Sequence, residues 1–300
     1  MSTMDRDKLI KRFERYILND LGLQHRTATG YKNCLNSYLN WLEDNNIKPK
    51  KVTLQESYDF IAYRQQRGDA HSTVKGYKGI VTHFNHSIGM KINPMLMVHV
   101  AKSNRTTPTQ LLDEEFLNTI YRETKANTLV QKRDRCMLGM MVFLGLQRKE
   151  LQLLKLNHLD LEEGRLYVPA TTISNERYIN LHPKQILHLS NYIYDTRPML
   201  LEQFRRETNN LFFSSGEATN LDGALGRMIT RLKQEFHYIR DFQQLKQSRI
   251  TIWVKELGLR EAQYLGGYRY VTSVQRYDFK SIDDLQKKLE FHHPMESMAF

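Results

Sequence analysis

Tyr277 organises the chemical reading of this sequence. It closes the stretch Tyr264 to Phe279, YLGGYRYVTSVQRYDF, and has Arg269, Arg276 and Lys280 as basic neighbours in the chain. A tyrosine hydroxyl is a nucleophile where its surroundings activate it. The plainer alternative is a structural tyrosine packed beside Tyr268 and Tyr270. Few other groups compete for a chemical role. The two cysteines, Cys34 and Cys136, sit in apolar helical patterns and read as buried free thiols. No CxxC pair or His/Cys cluster has zinc spacing. The pair His292-His293 is isolated. No metal and no cofactor is expected.

Positioning such a tyrosine requires a folded frame, and the chain has the means to build one. Its 300 residues suffice for two domains with cores, and 40% hydrophobic with 10% aromatic residues marks a globular chain. Residues 1 to 94 read as four short helices. Asp7 to Leu21 carries Leu9, Ile10, Phe13, Tyr16 and Ile17 at helical spacing. From Thr27, a second helix places Tyr31, Leu35, Tyr38, Leu39 and Leu42 on one face. Thr53 and Glu56 form a capping box opening a third helix through Arg64, and Ser72 is the expected cap of a fourth. That fourth helix turns Val74, Tyr77, Ile80, Val81 and Phe84 inward and leaves His71, Lys75 and Lys78 off the core face. The aromatic spacing marks core positions rather than base-stacking platforms. Asn93-Pro94 stops the domain, and 95 to 110 reads as a linker.

Downstream, Asp113 is a plausible N-cap, and Arg133 to Leu156 is helical and apolar. Asp160 to Val168 and Arg177 to Leu181 give strand signals, the first with a Glu163-Gly164 turn. Helices follow at Lys184 to Phe204, Leu221 to Phe236, Phe242 to Leu257 and Arg260 to Leu265. The fold class is therefore mainly α with a small β-sheet in the second domain, and the domains are expected at 1–102 and 109–300. Formal net charge is +11, which favours a polyanionic partner such as nucleic acid or an anionic membrane over a basic cytosolic protein with no such partner, though charge alone barely separates them. There is no signal peptide and no apolar run near ~18 residues, so no membrane segment is expected and the protein reads as cytoplasmic.

The order of these motifs resembles the tyrosine recombinases, the phage integrases and Xer-type enzymes. The resemblance rests on Leu265-Gly266-Gly267 followed by Tyr277, and on RDRCMLGMMVFLGLQRKELQLLKLNHLDL from Arg133, similar to the family's R-D…T-G-L-R-x-x-E-L…D-I-D. LLDEEF, LFFSSGEATN and the terminal KKLEFHHP add to it. The helical quartet resembles the family's core-binding, SAM-like DNA-binding domain. The resemblance covers nearly the whole chain and implies double-stranded DNA as partner.

In that family the tyrosine attacks a DNA phosphate stabilised by two arginines, a β-turn lysine, a histidine, and a second histidine or a tryptophan. Mapped onto this chain, the shell is largely replaced. Gln147 stands where the first arginine belongs, with Arg148 and Lys149 one and two positions on. Thr172 stands at the lysine position, about five residues before Arg177. Gln243 and Lys246 replace the histidine and second arginine of H-x-L-R, and Tyr268 follows Leu-Gly-Gly. Another H-x-x-R, His237 to Arg240, lies outside the family's spacing.

Tyr277 is then a vestigial catalytic candidate, and no catalytic residue is assigned firmly. The resemblance implies DNA-backbone contacts from Lys75 and Lys78 in the first domain. The second would supply Arg148, Lys149, Arg177, Arg231, Lys246, Arg249 and Arg269. It also implies a DNA-assisted dimer or oligomer formed through the C-terminal tail, 292 to 300. The expected function is sequence-specific binding of duplex DNA without strand cleavage, as a transcriptional repressor of a phage or mobile element in a bacterial cytoplasm, nucleoid-associated. The alternatives are an active, divergent recombinase using Tyr277, with Arg148 or Arg240 standing in for a missing arginine, and a basic protein-interaction scaffold.

Overall fold

The computed structural model describes residues 3–101, 108, 110–216 and 218–278. The chain divides into two compact units, Met1–Asn104 and Arg105–Phe300.

The first unit is helical. Helix α1 (Thr3–Arg15) continues through a π turn at Tyr16–Asp20, and is followed by α2 (His25–Asp44), α3 (Leu54–Gln66) and α4 (His71–Ser87). The side chains expected inward meet in one core, where Phe13, Leu35, Tyr38, Leu39, Phe60, Val81 and Phe84 are all solvent-inaccessible. Aromatic edges hold it together. The Tyr38 ring lies 4.7 Å from Phe60 and 6.2 Å from Phe84, both edge-on, the geometry aromatic quadrupoles favour. Thr53 caps α3 as expected, its hydroxyl accepting from the Glu56 N–H while Glu56 returns to the Thr53 N–H at 2.6 Å. The expected cap of α4 is not Ser72. The helix starts two residues earlier, after Ala70, and has no side-chain cap. Cys34 is only partly buried, because it flanks the core face of α2 rather than lying on it.

The second unit opens with α5 (Glu114–Glu123), capped by the Asp113 carboxylate on the Phe116 N–H. Next come α6 (Leu129–Val142) and the short α7 (Arg148–Leu153). Strands β1 (Leu159–Asp160), β2 (Arg165–Val168) and β3 (Arg177–Asn180) form an antiparallel sheet in the order β1-β2-β3, with Leu166 paired to Ile179 and Val168 to Arg177. Helices α8 (Pro183–Asn191) and α9 (Arg197–Gln203) are joined by a π turn, and α10 (Asp222–Glu235), α11 (Phe242–Leu257) and α12 (Leu259–Leu265) complete the unit. The α6 helix is buried nearly all round, with Met137, Leu138, Met140, Met141 and Val142 inaccessible. The turn after it favours glycine. Gly145 has φ +59°, and a Cβ there would meet the Trp253 ring at 3.3 Å.

Of the C-terminal features, Lys280, His292-His293 and the tail expected to dock on a neighbour lie outside the described residues, as does part of the linker. Among the described residues no helix is long and apolar enough to cross a membrane.

Candidate active site and its surrounding cations

Residues from α7, β3, α11 and the loop after α12 converge on one interior carboxylate. Helix α7 begins at Arg148, and the carboxylate of Glu150, one turn in, folds back to accept from the Gln147 N–H at 2.7 Å. Its other oxygen accepts from Arg177 Nη1, also at 2.7 Å, and both side chains are fully buried. Arg177 is there because of strand alternation. Along β3, Arg177 and Ile179 face in while Tyr178 and Asn180 face out. The Arg177 Nε donates to the Leu265 carbonyl at 2.7 Å. Its Nη2 is buried with no hydrogen-bond partner.

Lys246, from α11, is buried in the same place. Its ammonium donates to the Gly266 carbonyl at 3.2 Å and lies 5.1 Å from the centre of the Tyr268 ring. Burial lowers the Lys246 pKa to about 8; Glu150 opposes that shift and Arg177 adds to it. Burial would push the Glu150 carboxyl up, but Lys246 and Arg177 outweigh it and hold it below the usual carboxylate range. The cluster is one anion and two cations, satisfied chiefly by each other and by backbone carbonyls.

The loop after α12 packs against this cluster. Gly267 has φ +68°, and a Cβ on it would fall 2.4 Å from Arg177 Nη1. The β2–β3 hairpin is fastened to that loop, Asn175 N–H donating to the Gly267 carbonyl at 2.9 Å and Arg269 Nη2 to the Thr171 carbonyl at 3.3 Å. Within the hairpin tip, the Thr171 hydroxyl accepts from the Ser174 N–H at 3.0 Å. Thr172, beside it, is exposed.

Tyr277 sits in a small core of its own with Ile250, Trp253, Val254, Ala262 and Val274, and is 4% exposed. Its hydroxyl makes a long contact, 3.4 Å, with that of Tyr268. Burial, and next the neighbouring Tyr277, push the Tyr268 phenol pKa up, so Tyr268 stays protonated. The Arg276 guanidinium carbon lies 5.0 Å from the centre of the Tyr277 ring. Tyr270, expected to pack on Tyr277, is instead 69% exposed. It follows the loop's outward turn.

Of the positions that the sequence grouped around Tyr277, the structure records Tyr268 in contact with it, and Lys246 reaches the Tyr268 ring from the other side. Gln147 is half-buried, Gln243 and Thr172 are exposed, and none carries charge. Arg240, the alternative arginine, pairs with Asp241 at 3.4 Å at the surface. Glu150 is the residue the sequence reading passed over. It was visible as the acid of the R-K-E-L run, where its i, i+3 spacing to Gln147 is that of a capping pair.

The cations expected to touch DNA fall into two sets. Arg177, Lys246 and Arg249 are interior, 2%, 6% and 5% exposed. Arg249 donates Nε to the Val142 carbonyl at 2.8 Å and Nη1 to Glu114 at 2.7 Å. Most donors of these three are taken up inside the fold, the Arg177 Nη2 excepted. Arg231 is intermediate, half-exposed and ion-paired to Asp134, which also holds the buried Arg133. Lys75, Lys149 and Arg269 are exposed, Lys78 is half-buried on α4, and Arg148 is exposed at 3.8 Å from Asp222.

The sequence is matched over residues 110–281 by the phage integrase family and over 10–84 by the phage integrase N-terminal SAM-like domain. A tyrosine recombinase XerC of Oceanobacillus iheyensis is 24% identical over 298 residues, covering 95% of both chains. A tyrosine recombinase XerD of Pseudomonas aeruginosa is 26% identical over 205 residues, covering 67% of this chain and 68% of that one. Among solved structures, a XerH site-specific recombinase bound to palindromic difH substrate superposes with a TM-score of 0.71 at 17% identity, covering 96% of this chain and 95% of that one. A Tn1549 transposon integrase in complex with circular intermediate DNA gives 0.66 at 16% identity, over 93% and 98%. These likenesses establish the fold: two-domain and recombinase-like.

Proposed function

We propose that this chain, which belongs to the phage integrase (tyrosine recombinase) family, binds a specific duplex DNA site without cutting it and acts as a transcriptional repressor of a phage or mobile element. The observation behind this is the makeup of the shell around Tyr277. Strand cleavage places negative charge on the phosphate oxygens, and fixed cations must meet it. Here Gln147, Thr172, Gln243 and Tyr268 offer no charge at four of the five positions around the tyrosine. The fifth, Lys246, spends its ammonium on the Gly266 carbonyl and on the field of Glu150. Removing one such group typically costs ~10²–10³ in rate. The exposed cations of both units remain available for phosphate contacts, which give affinity without reading sequence. The similar proteins of solved structure that hold DNA support duplex DNA as the partner.

A second reading, an active and divergent recombinase, has two observations in its favour. Tyr277 is present, and the Arg177 Nη2 is a buried donor without a partner, as a group awaiting a phosphate oxygen would be. The test uses suicide DNA substrates carrying a site enriched from genomic DNA by the protein itself. The proposal expects a salt-sensitive shift on a native gel, no covalent band on a denaturing gel, and no change in Tyr277→Phe. A covalent band lost in that variant establishes the second reading instead.

A further inference from the structure

We propose that a cleft of about 130 Å³ between α6 and α8 binds a small phosphate-type oxyanion, at a site separate from the group around Tyr277. The cleft is lined by Lys132 and Arg135 from α6, by His188 and Asn191 from α8, and by Thr196. Among the described residues no carboxylate lines it. Two permanent cations, an imidazole, an amide and a hydroxyl therefore face one space with no acidic side chain to neutralise them.

Three details make this a place for a ligand rather than a chance cluster. The Arg135 Nε is buried without a hydrogen-bond partner. Its Nη2 reaches the Arg122 carbonyl at 3.3 Å, and the guanidinium lies over the Tyr121 ring at 5.3 Å, so the fork is held in place with a donor to spare. A buried donor left unpaired is costly. The His188 ring is also held, its Nδ1 2.7 Å from the Tyr121 hydroxyl. Burial raises the Tyr121 phenol pKa, so that phenol stays protonated.

Size and donor arrangement select the ligand class. Drug-sized ligands occupy pockets upward of about 300 Å³, so this cleft takes a single small group. A planar carboxylate is matched by one guanidinium fork, whereas donors arriving from two helices and the turn after them suit a tetrahedral ion. Inorganic phosphate or a phosphate monoester head fits both conditions.

The experiment follows the His188 ring signal by two-dimensional NMR on the full chain, assigned by its loss in His188→Gln. Inorganic phosphate, sodium acetate and a 20-base-pair duplex are titrated separately. The proposal expects a saturable shift with phosphate and a rise in the His188 pKa, from its lowered starting point, as the anion joins Arg135 beside it. Acetate is expected to bind at least ten-fold more weakly. Arg135→Ala removes the response. So does Asn191→Asp, which sets a negative charge at the exposed rim and keeps the fold where Arg135→Ala loosens it. A signal unmoved by phosphate, or a response retained in Asn191→Asp, overturns the proposal. So does acetate binding as tightly as phosphate, or movement with duplex DNA alone.

Discussion

Within the second unit, two sets of cations of the same residue types behave in opposite ways. Around Glu150, Arg177 and Lys246 are inside the protein, fixed by a carboxylate and by backbone carbonyls. On α7 and the loop after α12, Lys149 and Arg269 face solvent. Sequence position alone does not separate them, since all lie in motifs shared with one family. Burial does. A buried cation without its anion is costly to keep, so the interior set serves the fold first, while the outer set is free to serve a polyanion. The interior set is a network that is nearly complete within the fold, with the Arg177 Nη2 left over.

The largest effect should come from the interior. Arg177→Ala leaves Glu150 buried beside only the more distant Lys246, and should cost about 3–5 kcal/mol, the range for breaking a buried pair. Urea denaturation checks this. A loss below about 1 kcal/mol would mean that Arg177 is no more committed than the surface set, and the contrast would collapse.

Lys246 gives the next effect, as a pH dependence. Its pKa is about 8 folded against the ordinary lysine value of 10.5, so between those values the unfolded chain binds more protons. Stability contributed by this site therefore rises with pH from about 8 to 10.5, by about 3 kcal/mol at most. Tyrosines of the unfolded chain also begin to ionise near the top of that window, so the difference between wild type and Lys246→Met isolates the lysine. The gap between the two should change with pH across that window and be flat below pH 7. A flat difference throughout would show Lys246 to be solvated.

The smallest effects belong to the outer set. Lys149→Ala and Arg269→Ala should leave stability within about 0.5 kcal/mol. Each should reduce the slope of log affinity against log salt by about 0.9 if it neutralises one phosphate. Lys75→Ala tests the same point for the first unit. An unchanged slope in all three would remove the surface cations from the DNA-facing account.

How much of this was legible in the sequence depends on whether a signal is local. The helices of the first unit were readable because their apolar spacing is a local property, and the Thr53–Glu56 box was readable because both partners lie in one turn. The start of α4 was not, since Ser72 offers a cap that the helix, already begun after Ala70, does not use. The site was legible as a set of positions and illegible as a set of environments. Arg177 carried one usable signal, its two-residue spacing from Ile179 in a half-buried strand. The burial of Lys246 and Arg249 depends on residues ~100 or more positions away, Glu150 and Glu114, which periodicity does not link.

The measurement that bears most directly on the central claim is a restoration. Gln147→Arg, Thr172→Lys, Gln243→His and Lys246→Arg, made together, put back the charge missing around Tyr277. The chain as it stands and the restored one are compared on suicide DNA substrates, each with and without Tyr277→Phe. The prediction is no covalent adduct from the natural chain and a Tyr277-dependent adduct from the restored one. A Tyr277-dependent adduct from the natural chain would contradict the account, and would show that the network around Glu150 opens to a phosphate.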